Sequence, residues 1–146
     1  MACWSKANML HRWFVENVQN GVDDCGHYKV SQNQIIDLIH KCEEVIELLP
    51  EMDIVCESHT DYPNKTIIRS VWEFKQRYHD SDIRVHMSEK IRKKLENILP
   101  TKDGFFFGNT EYSEGYFYDV FQAVEILEHV LRIMLEGNYV YYFASW

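Results

Sequence analysis

Apolar residues recur every three to four positions near the start of the chain, which is the spacing of one face of an α-helix. The positions that form this face are Ala7, Leu10, Phe14 and Val18. Gly21 follows them, and glycine is common just after a helix end because it adopts backbone conformations that other residues avoid. The pattern predicts a first helix that ends before Gly21.

The same spacing predicts three further helices. Ser31 and Gln34 occupy the positions of a capping box, so a second helix begins there and ends at Pro50. A third helix begins after Ser88 and ends before Pro100. The last and longest helix covers about 114–136, and its apolar stripe contains Phe117, Val120, Val124, Leu127, Leu131 and Met134.

Residues 66–87 have a different pattern, in which apolar and charged residues alternate. Alternation is typical of a β-strand, and the turn-like segment 79–82 predicts a β-hairpin. Residues 66–78 also fit helical spacing, so whether they form a strand or a helix stays open. The tyrosine-rich tail, residues 139–146, predicts a strand because aromatic residues favour strands. We expect this strand to pair with the hairpin within the chain, or else with a second copy.

These elements predict an α+β fold that is predominantly helical: a small helical bundle of about four helices with a β-hairpin and a C-terminal strand. The length of 146 residues fits a single domain, residues 1–146, and 46% hydrophobic residues suffice for a core. The net charge of −8 opposes nonspecific binding to nucleic acid or to an anionic membrane. It suits docking on a basic surface of another protein.

The N-terminus has no apolar run of the signal-peptide type, and no stretch approaches the ~20 apolar residues that span a bilayer. We therefore expect a cytosolic protein that does not bind membranes. The four cysteines, Cys3, Cys25, Cys42 and Cys56, contain no C-x-x-C pair. Free buried thiols are expected, and neither a metal nor another cofactor is predicted.

The segment Gly104-Phe105-Phe106-Phe107-Gly108 is the most unusual part of the chain. Three adjacent aromatic side chains cannot all face one core from one strand or one helix face. This segment, the triple-Phe loop, is therefore either held by the rest of the protein or presents an aromatic ring to a ligand. In the second case a ring would stack on a base while backbone N–H groups of the glycines face phosphates.

Polar residues on the first helix are the second unusual feature, since the helix is otherwise built for packing. These residues are Lys6, Asn8, His11 and Asn17. They either line a binding site, with His11 as a proton carrier, or bond to the triple-Phe loop and hold it in place. We expect the loop to pack against the helix and to form the main concave site with it. The predicted ligand-binding residues are Lys6, Asn8, His11, Trp13, Thr101, Phe105, Phe106, Phe107, Thr110 and Tyr112.

The segment after the first helix, Asp23-Asp24-Cys25 with His27, contains residue types that bind metals. It lacks the alternating ligands of an EF-hand, so a hydrogen-bonded turn is the preferred interpretation. Cys25 as a nucleophile would need a nearby base such as His11 or His27, which sequence spacing does not establish. No catalytic or metal-binding residue is therefore assigned.

Three motifs together carry a resemblance to other proteins. The first contains Trp4-Ser5-Lys6-Ala7-Asn8, His11, Trp13-Phe14-Val15, Asn17-Val18-Gln19-Asn20-Gly21 and Asp23-Asp24-Cys25-Gly26. The second contains Leu99-Pro100-Thr101, Gly104-Phe105-Phe106-Phe107-Gly108, Thr110 and Tyr112, and the third is the tail that ends in Ser145-Trp146. With these motifs the chain resembles a family of small proteins encoded by tailed bacteriophages and prophages.

That resemblance implies a phage origin and the host bacterial cytoplasm as the place of action. It also implies that residues of about 50–90 form a variable, insertion-like segment, because members of the family differ there. Ser5 stands where the family typically has a basic residue. The resemblance supplies no activity and no catalytic residue.

We therefore interpret the chain as a phage-encoded, non-enzymatic accessory protein that counters a bacterial host function by binding. Its partner would be a host defence protein that it inhibits, or a small nucleotide signal that it sequesters. The acidity favours a basic protein, whereas the triple-Phe loop with Lys6, Arg12 and Lys102 favours a nucleotide. Both partners stay open.

Two alternatives accompany this interpretation. The first is a small enzyme that acts on a nucleotide or a nucleic acid and uses His11 with Asp23 or Asp24 in acid–base or metal roles. The second concerns assembly: the tail is an edge strand in the predicted fold, and edges invite pairing, so a homodimer is considered.

Overall fold

Five α-helices and five short strands form the part of the chain that the computed structural model describes, residues 3–4, 7–58, 65–104 and 109–145. The helices are α1 (Asn8–Asn17), α2 (Gln32–Glu47), α3 (Val71–Arg77), α4 (Glu89–Ile98) and α5 (Glu114–Leu135). The strands are β1 (Tyr28–Val30), β2 (Asp53–Ser58), β3 (Lys65–Ile67), β4 (Ser81–His86) and β5 (Val140–Tyr142), and a 3₁₀ turn, Leu49–Glu51, follows α2. The predicted α+β class is confirmed.

The predicted helix boundaries agree with the structure where local chemistry determines them. Ser31 accepts a hydrogen bond from the Gln34 N–H at 3.1 Å while its own N–H donates to the Gln34 side chain at 2.8 Å, which is the predicted capping box. The Ser88 hydroxyl accepts a hydrogen bond from the Ile91 N–H and caps α4. After α1 the chain turns at Gly21, whose φ of 81° is accessible to glycine at little cost.

A three-stranded antiparallel sheet with the order β3-β2-β4 replaces the predicted hairpin. β2 lies in the centre, where Cys56 is opposite Thr66 on one side and Ile83 on the other. β2 was not among the predicted elements, and β3 and β4 do not pair with each other.

The helix α3 between these strands explains why the hairpin prediction failed. Residues 66–78 fit both the helical and the strand spacing, and tertiary packing selects the helix. Phe74 is fully buried and contacts Phe121 of α5 edge-on, with 5.0 Å between ring centroids. Ser70 accepts a hydrogen bond from the Glu73 N–H and begins the helix. The expected count of about four helices is therefore one too low for the described residues.

The tail strand is present as β5, but its partner differs from the predicted one. β5 pairs antiparallel with β1, with Tyr141 opposite Lys29, and the two strands form a sheet of their own. The pairing is within the chain, as preferred, yet it does not involve residues 66–87. β1 was not predicted, because its segment is too short to show an alternation of apolar and polar residues.

The core lies where α2 packs along α5, and α1 covers one side of it. Leu38 and Phe117 are fully buried there, and each such side chain contributes about 1.5–3 kcal/mol relative to an exposed one. Cys42 and Cys56 are buried free thiols, as expected, whereas Cys3 and Cys25 are exposed. None of the helices in the described ranges combines the length and the apolar character needed to cross a membrane.

Candidate functional site

His11 joins three separate parts of the chain on the inner face of α1. Its ring is only 8% exposed. Nε2 lies 3.0 Å from a carboxylate oxygen of Asp23, in the segment after α1, and Nδ1 lies 2.7 Å from the hydroxyl of Tyr142 in β5. The Tyr142 ring also stacks on Phe14 of α1, with 3.9 Å between centroids and 5° between planes. These contacts attach the C-terminal strand to the first helix.

The chemistry of the partners assigns the protons in this cluster. A carboxylate only accepts, so Nε2 carries the hydrogen that is donated to Asp23, and Nδ1 of the neutral ring accepts from the Tyr142 hydroxyl. Burial lowers the pKa of His11 below its ordinary value, although Asp23 opposes the shift. Burial and the nearby Asp23 charge raise the pKa of Tyr142, so its hydroxyl stays protonated.

Asp23 connects this cluster to the segment that precedes the triple-Phe loop. Its second carboxylate oxygen pairs with the Lys102 ammonium group. Burial alone would raise the pKa of Asp23, but the hydrogen bonds from Lys102 and His11 outweigh it and hold the pKa below its usual value. The adjacent Asp24 faces away and accepts hydrogen bonds from the Gly26 N–H and the Tyr28 hydroxyl, which is the turn chemistry predicted for this segment.

α1 also holds the backbone on both sides of the triple-Phe loop. The Asn8 side chain donates to the carbonyl of Asn109 at 2.8 Å and accepts from the Lys102 N–H at 3.4 Å. Arg12 donates to the carbonyl of Thr101 at 2.8 Å, and the Thr101 hydroxyl donates to the carbonyl of Thr110 at 2.9 Å. The flanks of the loop are thus bonded to α1 and to each other.

A groove of about 810 Å³ lies beside these flanks, between them and the β4–α4 region. The residues of the groove that can contact a ligand through polar or aromatic atoms include Arg12, His86, Arg92, Thr101, Thr110 and Tyr112. Arg92 is held by Glu89 and by Glu96, the latter at 2.5 Å, and Arg12 is held by Glu16 at 2.8 Å. The groove therefore combines two arginines with an aromatic ring, and carboxylates balance the arginines.

A smaller cleft of about 250 Å³ lies next to the groove and shares Thr101 and Glu111 with it. Asn8 and Asn109 form one side, and Tyr78 and Asp119 belong to the other elements that line it. Burial raises the pKa of Asp119 to about 6. A carboxyl group in a cleft with a raised pKa is a frequent feature of functional sites.

The structure places the predicted site residues in three groups. Lys6, Phe105, Phe106 and Phe107 lie outside the described residues. Trp13 packs in the core, edge-on to Phe14. Asn8, His11, Thr101, Thr110 and Tyr112 lie in the cluster, the groove or the cleft.

Sequence reasoning did not select Tyr142, Arg92 or Asp119. Asp119 follows one turn after Gly115 on a helix whose apolar stripe lies elsewhere, and nothing in a single sequence distinguishes it from a solvated carboxylate. In the ranges that the structure covers, no three His, Cys, Asp or Glu side chains come together as a metal-ion cluster.

The His11 cluster predicts a pH dependence of stability. The pKa of His11 is lower in the folded chain than its ordinary 6.5. The neutral imidazole therefore contributes fully to the free energy of unfolding above pH 6.5, and this contribution is lost as the pH falls through the lowered pKa. The Asp23→Asn variant removes the charge that raises this pKa, so His11 should titrate at a still lower pH. Asp37→Asn, the same charge change at an exposed position of α2, should leave the titration unchanged. NMR titration of the imidazole measures this, and a His11 pKa at or above 6.5 in the wild type would contradict it.

Proton exchange with a ligand would disturb the fold at this cluster. His11 would have to release Asp23 or Tyr142, and Asp23 would have to release Lys102. These bonds join α1, the segment after it, the flank of the triple-Phe loop and β5.

Comparison with protein-family models, with curated proteins and with solved structures finds no match to this chain.

Proposed function

We propose that this protein is a non-enzymatic phage accessory protein that counters a bacterial host function by sequestering a small nucleotide in the host cytoplasm. The observation that carries the proposal is the groove beside the flanks of the triple-Phe loop. Its volume of about 810 Å³ lies in the range of ~300–1,000 Å³ that is usual for small-ligand sites. It brings arginine side chains, threonine hydroxyls and the Tyr112 ring to one place, and these groups suit phosphates and a base.

The arginines of the groove can exchange their present partners for a phosphate. The side chains of Arg12 and Arg92 are 38% and 45% exposed, and their partners Glu16 and Glu96 are 53% and 42% exposed. Exposed ion pairs contribute only about 0–1 kcal/mol each, so breaking one opposes binding weakly. A phosphate offers arginine a paired hydrogen bond of greater strength. Arg12 is already positioned by its bond to the Thr101 carbonyl, which limits the entropy that it loses on binding.

The engagement of His11 and Asp23 supports binding over catalysis. An acid–base catalyst needs a proton that it can exchange with the ligand. Here the ring nitrogens of His11 are engaged by Asp23 and Tyr142, and Asp24 stabilises a turn. The enzymatic alternative therefore has less support than binding.

A thermal-shift screen of nucleoside monophosphates, diphosphates and cyclic dinucleotides tests the proposal. A ligand at about 100 times its dissociation constant should add about 2.7 kcal/mol to the free energy of unfolding and raise Tm by several degrees. Arg12→Gln should weaken binding about tenfold, because it removes a charge-assisted contact to phosphate.

The control for this experiment is Lys41→Gln, which removes one positive charge from an exposed ion pair with Glu44 on α2. It should leave the ligand-induced shift unchanged. Equal losses in the two variants would show that net charge rather than the groove determines binding. The absence of a shift with every nucleotide would contradict the proposed function.

A host protein is the second candidate partner, and the outer face of β5 supports it. Tyr139, Tyr141 and Phe143 alternate along β5 and the residues that flank it, and are 72%, 56% and 48% exposed. Lys29 lies 3.8 Å from the Tyr139 ring centroid, and His27 stacks on Phe143. Exposed tyrosine and phenylalanine are enriched in protein interfaces, and the net charge of −8 suits a basic partner.

A further inference from the structure

The carboxylate of Asp119 has no hydrogen-bond donor among the residues that the structure describes. Asp119 is on the second turn of α5 and lines the small cleft of about 250 Å³. A half-buried carboxylate normally has hydrogen-bond partners, because its two oxygens accept several bonds and are costly to desolvate without them. The cleft thus contains acceptor atoms that a ligand could satisfy.

The remaining lining of the cleft selects against phosphate at this position. Glu111, which the cleft shares with the groove, adds a second carboxylate. Unlike the groove, the cleft has neither lysine nor arginine among the described residues that line it. Glu114 lies close enough to raise the pKa of Tyr78, one of the two aromatic side chains among the described residues that line the cleft. The cleft therefore favours a group with N–H donors, whereas the arginines lie in the neighbouring groove.

The walls of the cleft suit a flat heterocycle. Tyr78 is held in place by stacking on Tyr118, with 3.9 Å between centroids and 9° between planes. Tyr116 is buried, donates its hydroxyl to the Leu99 carbonyl and meets Tyr112 of the groove at 4.9 Å. The volume is below the usual range for whole drug-sized ligands, so it suits one base and not a complete nucleotide.

We infer that the cleft binds the guanine base of the nucleotide whose phosphates lie in the groove, with the Asp119 carboxylate accepting hydrogen bonds from the N1–H and the 2-amino group. This inference rests on the proposed function. Guanine presents two adjacent donors that match the two oxygens of a carboxylate. Adenine presents a donor beside an acceptor, which a carboxylate cannot satisfy. Sites built around such a pair discriminate strongly, because the wrong base leaves buried polar atoms unpaired.

The test is a calorimetric titration of the wild-type protein with GMP, IMP and AMP. GMP should bind at least about tenfold more tightly than IMP, which lacks the 2-amino group, and than AMP. This comparison needs no substitution and therefore does not depend on the folding of a variant. Equal affinities for GMP and AMP would overturn the inference while leaving the proposed function intact.

The variant Asp119→Asn makes a sharper prediction because it reverses the specificity. The amide offers one donor and one acceptor, which complement the N1–H and the 2-oxo group of xanthine. GMP affinity should fall at least about tenfold and XMP affinity should rise. Glu128→Gln, the same charge change at an exposed position of α5, should keep the wild-type order of affinities. Retention of GMP binding in Asp119→Asn would overturn the inference.

Titration with guanosine and adenosine separates this inference from the proposed function. Tighter binding of guanosine than of adenosine, together with a loss of guanosine affinity in Asp119→Asn, supports the guanine site in the cleft. If GMP then binds no more tightly than guanosine, the groove does not bind the phosphate and the proposed function is wrong. Phosphate-dependent binding of all bases alike supports the groove and overturns the cleft. The absence of binding by both guanosine and GMP overturns the cleft, and it overturns the proposed function as well only where no other nucleotide of the thermal-shift screen binds.

Discussion

Replacing Tyr142 with alanine is expected to lower the free energy of unfolding by about 2–4 kcal/mol, the largest effect that we predict for a single residue of the site. The substitution removes the ring that stacks on Phe14 and the hydroxyl that donates to His11 at 2.7 Å. It also leaves a buried imidazole nitrogen without this donor. Urea denaturation followed by tryptophan fluorescence measures the change.

The neighbouring tyrosine provides the matched control. Tyr141 lies on the same strand but is 56% exposed, so Tyr141→Ala should change stability by less than about 0.5 kcal/mol. Tyr142→Phe keeps the ring and removes only the hydroxyl, and should lose about 1 kcal/mol. Equal losses for Tyr142→Ala and Tyr141→Ala would show that β5 is not attached to α1 in the way described.

The second large effect is expected for Asn8→Ala, which should destabilise the protein by about 1–3 kcal/mol. Asn8 is 3% exposed and bonds to the backbone of Lys102 and Asn109. Truncation leaves the Asn109 carbonyl and the Lys102 N–H without this partner. The control, Asn17→Ala, removes a bond to the Trp13 carbonyl within the same helix at an exposed position, and should have a smaller effect.

These two variants differ in their expected effect on binding as well. Asn8→Ala loosens the two flanks of the triple-Phe loop, so nucleotide affinity should fall together with stability. Asn17→Ala should leave affinity unchanged. A variant Asn8→Ala that matches the wild type in both stability and affinity would contradict the role assigned to Asn8.

The helices could be predicted from the sequence because their signals are local. The capping box at Ser31, the cap at Ser88 and the stripe that contains Phe117 and Leu127 each depend on residues within a few turns of one another. Such signals did not determine whether α3 is a helix or a strand, since its seven residues fit both the helical and the strand spacing. Its helical state depends on the burial of Phe74 against Phe121, which lies on another element.

The sheets could not be predicted with the same success, since their pairing depends on distant residues. β2 is the central strand because β3 and β4 lie on its two sides, and its burial alternates, with Ile54 and Cys56 facing the core. β1 has three residues, which is too short for a periodic pattern. Its strand conformation results from pairing with β5.

Half of the polar site could be anticipated because the residue types were unusual on an apolar helix. Asn8 and His11 were selected for that reason, and the structure places both in bonds that hold other segments. Their partners Tyr142 and Lys102 were beyond prediction, because no local rule connects them to α1. Asp119 was missed since its significance depends on the cleft around it.

The contact between His11 and Tyr142 joins residues 131 positions apart, and this separation affects the order in which the protein matures during synthesis. α1 is made before β5, so the ring that stacks on Phe14 is added only after the helix has been synthesised. At about 5–20 residues per second, β5 follows α1 by roughly 7–26 s. During that interval the nascent chain carries an apolar helix without the strand that later covers it, and a chain interrupted before β5 would keep that helix available to chaperones and proteases.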